Sequence, residues 1–482
     1  MPRPPAPTGR FTPSRRRATS SSSPRATPTR NWPSFPWARD PAIPPLPSPA
    51  NGSTSGRQGA CTVLRIRDDG RLILKADGAP FFYLADTAWE LLHRLNREEA
   101  ARYLLTRAEQ RFTVIQAVAL AELDGLRAPN PYGDVPFEGI DPTRPNEAYW
   151  RHVDWIIERA ATEGLVMGLL PTWGDKVNPA HPHAGPLIFD PENARVYGRF
   201  IGARYREHPI IWILGGDRRL ETGTHLRVYR AMAEGIRDAG ATQIMTFHPM
   251  GGSSSATFCH AEPWLDFNML QSGHTGRDNP NWNMIDLDRA RLPTKPVLDG
   301  EPNYEDHPVM LPGWKPSEDW FDAHDVRRQA WRALLAGACG HTYGCQAVWQ
   351  MWAPPRNKIN LVRKSWNESL DLPGANQMRH LRAFFESIEW ATIVPDQSLL
   401  ASENGTGAAH IRAARADDGS QGIVYLPQGG AVRLNLSALR QPLRARWFDP
   451  RTGAARDAGT LTTPQTDVTA PSTEDWVLHL TP

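Results

Sequence analysis

Eight short apolar runs, spaced along the middle of the chain, constrain its fold more than any other feature. They are PFFYLADT (80–87), FTVIQAVAL (112–120), LVMGLLPTW (165–173), IIWILGGD (210–217), QIMTFHP (243–249), FNMLQSGH (267–274), PVLDGEP (296–302) and HTYGCQAVWQ (341–350). Most are near-continuous rather than alternating, the pattern of parallel strands covered on both faces. Between them stand helical patterns, among them REEAARYLLTRAEQR, NEAYWRHVDWIIERAATEG, ENARVYGRFIGARYREH, HLRVYRAMAEGIRDAG and DVRRQAWRALLAGACG, with Gly164 and Gly240 placed to stop two of them. Strand and helix alternating eight times predicts an α/β fold, a (β/α)8 TIM barrel. A doubly wound sheet would show fewer repeats and a Gly-rich phosphate loop after the first strand, and neither is present.

A hairpin, VLRIRDDGRLILKADGAPF, precedes the first run, with Asp-Asp-Gly as its turn. After Pro395 the pattern changes to short alternating runs (AAHIRAARA, GIVYLPQG, AVRLNLS, RARWFDPRTG, WVLHLTP) between Gly-rich turns, which reads as a small antiparallel β-sandwich. Residues 1–59 hold 14 of the 45 prolines, nine Arg and one Asp, with too little apolar content to offset the entropy of ordering. The chain of 482 residues therefore divides into a disordered segment 1–59, a barrel 60–395 and a β-sandwich domain 396–482. With 54 basic residues against 52 acidic, and the basic excess concentrated in 1–59, the folded part is mildly acidic and offers no case for a nucleic-acid or membrane-surface partner. No run approaches the about 18 apolar residues of a membrane span, and the N-terminus lacks the apolar stretch of a secretory signal. Four cysteines (Cys61, Cys259, Cys339, Cys345) are not a disulfide framework in a chain this long and do not fix a compartment. Trp outnumbers Tyr, 18 to 10, which suits either indole stacking on a ligand or added core packing.

Barrel enzymes carry their working groups at the C-terminal ends of the strands, and those ends are polar here. In strand order they offer Asp86 and Trp89; Gln116; Trp173, Asp175 and Lys176; Asp217; His248; Gln271 and His274; Asp299 and Glu301; and Gln346, Trp349 and Gln350. Carboxylates, amides, imidazoles and indoles on one rim describe a sugar site. Hydrolysis of a glycosidic bond needs two carboxyl groups flanking it, and Asp217 and Glu301, each after a glycine at the ends of strands four and seven, are the best pair. The alternative is that both are polar caps paired with Arg218 or Lys295. Asp86, Asp175, Asp299, Glu305 and Asp306 are rivals: Asp86 suits hydroxyl binding, Asp175 can simply pair with Lys176, and Asp299 could face the barrel interior beneath Glu301. No metal is expected, since His181-Pro-His183 stands without a further ligand motif. Ser253–Ser255 lacks a nucleophile elbow.

The segments FYLADTAWELLHRLNREEA, VIQAVALAELDGL, GLLPTWGDKVN, IIWILGGDR, EPWLDFNMLQSGH and KPVLDGEPNYEDHP resemble the apiosidase-like catalytic domain of glycoside hydrolase family 140, over nearly all of 62–395. The C-terminal part is similar to the small β-domain that follows it and carries a collagen-binding label; nothing in its residues suggests collagen recognition, and its expected role is to pack on the barrel. The resemblance implies hydrolysis of apiose-containing side chains of the pectin rhamnogalacturonan II, with Asp217 as acid/base and Glu301 as nucleophile. The expected partner is a carbohydrate substrate, with no cofactor, and the expected substrate-binding set is Asp86, Trp89, Gln116, Trp173, Asp175, Lys176, His248, Gln271, His274, Tyr304 and Trp349. Lys176, Arg218, Arg219, His248 and His274 could meet a uronic carboxylate. A retaining mechanism calls for a raised Asp217 pKa, helped by burial near Trp212 or Trp173 and by the charge of Glu301. Such proteins are typically exported, whereas this chain shows no recognisable signal. A non-catalytic glycan-binding protein is the rival of another class, and a peptidase is disfavoured for want of a triad or metal motif.

Overall fold

The computed structural model describes residues 64–178 and 185–482. The segment 1–59, Cys61, and the pair His181 and His183 lie outside the described residues. Eight parallel strands form the barrel: β1 (Tyr83–Thr87), β2 (Val114–Val118), β3 (Val166–Leu170), β4 (Ile210–Gly215), β5 (Met245–His248), β6 (Asn268–Gln271), β7 (Val297–Asp299) and β8 (Gly340–Tyr343). Hydrogen bonding runs β5-β4-β3-β2-β1-β8-β7-β6, and a short strand, Ser253–Ser254, adds antiparallel to β6 as a ninth. Asp266 N–H to Met245 O, 2.8 Å, and Thr246 Oγ1 to Phe267 O, 2.6 Å, draw β5 and β6 together and nearly close the ring. Seven of the eight apolar runs contain their strand, and the eighth starts one residue inside its own, which begins at Gly340. The last was read too long: Gln346–Trp349 is a helical turn.

Strand parity separates two cores. Tyr83, Ala85, Val114, Val166, Ile211, Ile213, Met269 and Leu298 fill the interior. Leu84, Ile115, Met167, Trp212 and Leu214 face the helices. The expected hairpin forms between Arg65–Ile66 and Ile73–Leu74, and its Leu72 and Ile73 join the interior cluster.

The surrounding helices are α1 (Arg97–Glu109), α2 (Glu147–Thr162), α3 (Pro191–Tyr205), α4 (Gly223–Asp238), α5 (Asn281–Arg289), α6 (Ala323–Leu335) and α7 (Pro373–Glu386). Capping boxes at Asn96/Glu99, Asp190/Asn193 and Asp322/Asp325 satisfy the free N–H groups at three of their starts. None of the described helices is long and apolar enough to cross a membrane. Cys259, Cys339 and Cys345 are free and buried.

The C-terminal part is antiparallel. Strands β9 (Ile393–Pro395), β10 (Arg412–Ala416), β11 (Gly422–Leu426), β13 (Leu443–Phe448), β14 (Ala455–Leu461) and β16 (Trp476–Thr481) make a six-stranded sheet in the order β9-β10-β11-β16-β13-β14. β12 (Ala431–Asn435) and β15 (Gln465–Thr469) pair beside it, around a core that includes Val424, Leu434, Leu443 and Trp476. This sheet packs on α5, α6 and α7. Trp282 stacks on His410 with centroids 3.9 Å apart, and Phe384 meets Phe448 at 5.0 Å. Arg332 donates to the carbonyls of Gly407, Ala408 and His410. Arg327 Nε donates to Asp475 Oδ2 at 2.7 Å, within a pair that is almost wholly buried, and Tyr425 Oη donates to the same oxygen at 3.1 Å. Removing one member of a buried ion pair strands the other, so Asp475→Ala is expected to cost about 3–5 kcal/mol. Chemical denaturation followed by far-UV circular dichroism measures it; a loss below about 1 kcal/mol would place the pair among the energetically neutral ones.

Candidate active site

The β4 end turns sharply. Gly215, Gly216 and Asp217 have φ of 90°, 126° and 48°, and a Cβ at Gly216 would lie 2.8 Å from the Trp173 indole. Asp is among the few residues that adopt the left-handed region readily. This turn swings the Asp217 carboxyl over the barrel mouth, where its side chain is 38% exposed. Its backbone N–H points at His248 Nδ1, 3.4 Å away, and Gly251 N–H points at its Oδ1, also 3.4 Å.

Glu301 stands across the mouth, two residues beyond β7, and is buried. His274 Nε2 holds its Oε1 at 3.0 Å. Its Oε2 lies 3.0 Å from His248 Nε2, but out of line with a good hydrogen bond, so that both atoms lack a hydrogen-bond partner. One imidazole thus touches the backbone of Asp217 on one side and the carboxylate of Glu301 on the other. With Nδ1 accepting, its neutral tautomer carries the proton on Nε2.

The two carboxyls are tuned in opposite directions. Desolvation, then the charges of Glu301 and Glu122, raise Asp217 to about 7 against the opposing pull of His248 and Arg218; solvent at the mouth moderates that rise. Burial pushes Glu301 up, but the close approach of His248 and the hydrogen bond and charge of His274 outweigh it and hold Glu301 well below the ordinary carboxylate range.

Indoles wall this space. Trp89 and Trp173 lie 5.2 Å apart and approach His248 at 5.3 and 5.6 Å. Half-buried Trp349 packs against the same cluster, its Nε1 donating to Gln346 at 2.8 Å. Trp173 Nε1, Gln271 Oε1 and Tyr304 Oη are buried without a hydrogen-bond partner. The Tyr304 ring packs against Gly344, where a Cβ would meet it at 2.0 Å, and meets His274 at a tilt, with centroids 4.4 Å apart. Gly344→Ala is expected to displace this ring, at a cost of roughly 1–3 kcal/mol and with a fall in activity; unaltered melting and turnover would show that the ring tolerates the shift.

Several expected site residues lie elsewhere. Asp86 shares the outward parity of Leu84; its carboxylate is fully buried against α1, accepting from Tyr103 at 2.5 Å and Arg107 at 2.7 Å, and is not a rim ligand. Asp175 and Lys176 form a fully buried pair at 2.9 Å. Asp175 accepts from Leu123 N–H and Gly185 N–H, and Lys176 donates to Ala121 O, so both pin loops below the rim instead of facing it. Gln116 points inward, but both ends of its amide are engaged, by Tyr83 Oη at 3.2 Å and Gly300 O at 3.0 Å; it braces the turn that carries Glu301. Asp299 also faces outward, to Ser272 and Asn281, and not into the barrel interior. Trp212 likewise points out, to Gln243, leaving Trp173 as the indole beside Asp217. Glu305 holds Gly374 N–H and Tyr343 Oη, and Asp306 pairs with Arg363.

Sequence reasoning missed two acids at the mouth. Glu90 is buried next to Trp89, with Arg94 3.9 Å away, and burial raises its pKa to about 7. Glu122 lies in the loop after β2 and pairs with Arg218. Neither had a signal beyond its place in a quoted segment, since loop side chains follow no period.

Indole faces suit the CH faces of sugar rings, and a raised acid opposite an ionised carboxylate suits cleavage of an acetal. By fold and site chemistry the class is that of the glycoside hydrolases. A family model described as "Apiosidase-like, catalytic domain" matches residues 67–392, and one described as "Putative collagen-binding domain of a collagenase" matches residues 394–481. The chain belongs to the apiosidase-like family. It is similar to a solved structure named "Glycoside hydrolase", at 31% identity and TM-score 0.79, covering 87% of this chain and 97% of that one. A glycoside hydrolase family 5 protein from Bacteroides vulgatus ATCC 8482 is likewise 31% identical with TM-score 0.79, over 87% of this chain and 93% of its own. A further structure from the same organism, described as "a putative glycoside hydrolase", 14% identical with TM-score 0.64 over 89% of this chain and 83% of its own, shares the fold. No curated protein matches the chain.

Proposed function

We propose that the protein is a retaining glycosidase of the family 140 type, acting on apiose-containing side chains of rhamnogalacturonan II, with Glu301 as nucleophile and Asp217 as acid/base. The observation that carries the mechanism is the state of Glu301: one oxygen is held by His274, and the other is unpartnered, with its charge felt by the raised carboxyl of Asp217. The substrate rests on the motif resemblance and on the family.

In the first step Glu301 Oε2 forms a bond to the anomeric carbon as the glycosidic C–O bond breaks and the leaving oxygen takes the Asp217 proton. In the second step ionised Asp217 takes a proton from water, whose oxygen replaces Glu301 at the anomeric carbon; Glu301 leaves as carboxylate and Asp217 regains its proton. Double displacement requires the carboxyls about 5–5.5 Å apart. Trp89, Trp173 and Trp349 supply ring faces, and Trp173 Nε1, Gln271 Oε1 and Tyr304 Oη supply hydrogen bonds to hydroxyls. The small β-domain, packed on three helices of the barrel, acts as its structural support.

The test is sugar release from purified rhamnogalacturonan II and from a panel of aryl glycosides, comparing the native protein with Asp217→Asn and Glu301→Gln. Release of apiose by the native protein alone supports the whole reading. Release of another sugar corrects the substrate and keeps the mechanism, whereas binding without release from any glycan favours a glycan-binding protein.

A further inference from the structure

Arg218, the residue after Asp217, is nearly buried, and its guanidinium stands beside the Asp217 carboxylate without hydrogen-bonding to it. Its Nη2 donates to Glu122 Oε1 at 2.8 Å, and its Nη1 donates to the Asp217 backbone carbonyl at 2.8 Å. From Nη1 to the nearest Asp217 carboxylate oxygen is 3.7 Å, and no hydrogen bond joins them. An arginine beside a carboxylate ordinarily takes it in two parallel hydrogen bonds. Here the carboxylate it takes belongs to Glu122, on the loop after β2. The other groups that face Asp217 are His248 at the end of β5, Glu301 beyond β7 and the Gly251 N–H.

We propose that Glu122 is a positioning residue for the acid: it engages the Arg218 guanidinium so that no hydrogen bond forms from it to the Asp217 carboxylate, and Asp217 keeps its proton at the pH where Glu301 is ionised. This rests on the reading of Asp217 as the acid. Two contributions follow from the geometry. Glu122 places a negative charge near Asp217, and it withholds from Asp217 a direct hydrogen bond from the arginine. Both favour the protonated carboxyl. Glu122→Gln removes the charge but leaves an oxygen able to accept from Arg218. Glu122→Ala removes both and frees the guanidinium to turn to Asp217. The Asp217 midpoint is therefore expected to fall in both variants, further in Ala than in Gln, with a drop of about one pH unit or more in Ala. Glu122→Asp retains the charge and is expected to stay nearest the native value. Arg218→Gln is expected to move the midpoint upward.

The experiment is a carbon-13 NMR titration of aspartate carboxyls in the full chain, with the Asp217 signal assigned by its loss in Asp217→Asn. Circular dichroism on each variant verifies folding. Beside it, the basic limb of kcat/KM on rhamnogalacturonan II should move to lower pH with the midpoint. An unchanged or raised midpoint in Glu122→Gln and Glu122→Ala overturns the proposal. Equal falls in the two variants overturn its positional part, since charge alone would then account for them. Full turnover by Asp217→Asn is a separate failure: it removes the acid assignment, while the titration still reports whether Glu122 governs the carboxyl.

Discussion

Glu301→Gln is expected to lower kcat by on the order of 10^4-fold with little change in fold. The amide fills the same space and its oxygen can still meet a donor from His274, but it is a poor nucleophile toward an anomeric carbon. Loss of the carboxylate also removes one of the charges that raise Asp217. The Asp217 midpoint in this variant should therefore fall toward the ordinary carboxylate range. Kinetics on the native substrate measure the first effect, and a carboxyl titration measures the second. A variant retaining more than about a tenth of native kcat would exclude Glu301 as nucleophile.

Asp217→Asn should cost roughly 10^2–10^4-fold on a sugar leaving group, which needs the proton. It should cost less for the bond-breaking step with a nitrophenyl leaving group, which departs without one. The pH dependence is expected to test the same assignment from another side. The proposed mechanism requires Asp217 protonated and Glu301 ionised. The Asp217 pKa is raised, so activity falls as pH rises through it; the Glu301 pKa is depressed, so the acid limb lies well below. The native profile is thus expected to be a bell, and Asp217→Asn should lose the basic limb. Persistence of that limb in Asp217→Asn would assign it to another group, with buried Glu90, raised to about 7, the first to examine.

Both carboxyls were legible from the sequence because each follows a glycine that ends an apolar run, and because the motifs around them resemble a family. The strands were legible for the reason that hides the site's finer geometry. A strand covered on both faces is apolar on both, so the run YLADT announces β1 but not which way Asp86 points. Only the packing shows that Asp86 faces Arg107 of α1 while Tyr83 and Ala85 face the barrel interior. Asp299 was misread for the same reason. Asp175 and Lys176 illustrate another limit: neighbours of opposite charge at a strand end can serve a ligand or each other, and here full burial pairs them. His248 and His274 were placed on the rim by strand order, but their shared attachment to Glu301 required the turn of chain beyond β7.

The most direct test of the central claim is a covalent one. Protein quenched in acid during incubation with the proposed substrate, rhamnogalacturonan II, then digested and measured by mass spectrometry, should carry one glycosyl residue on the peptide containing Glu301. Glu301→Gln should carry none. An adduct on a different residue, or no adduct together with a product of inverted anomeric configuration, would contradict a double displacement at Glu301.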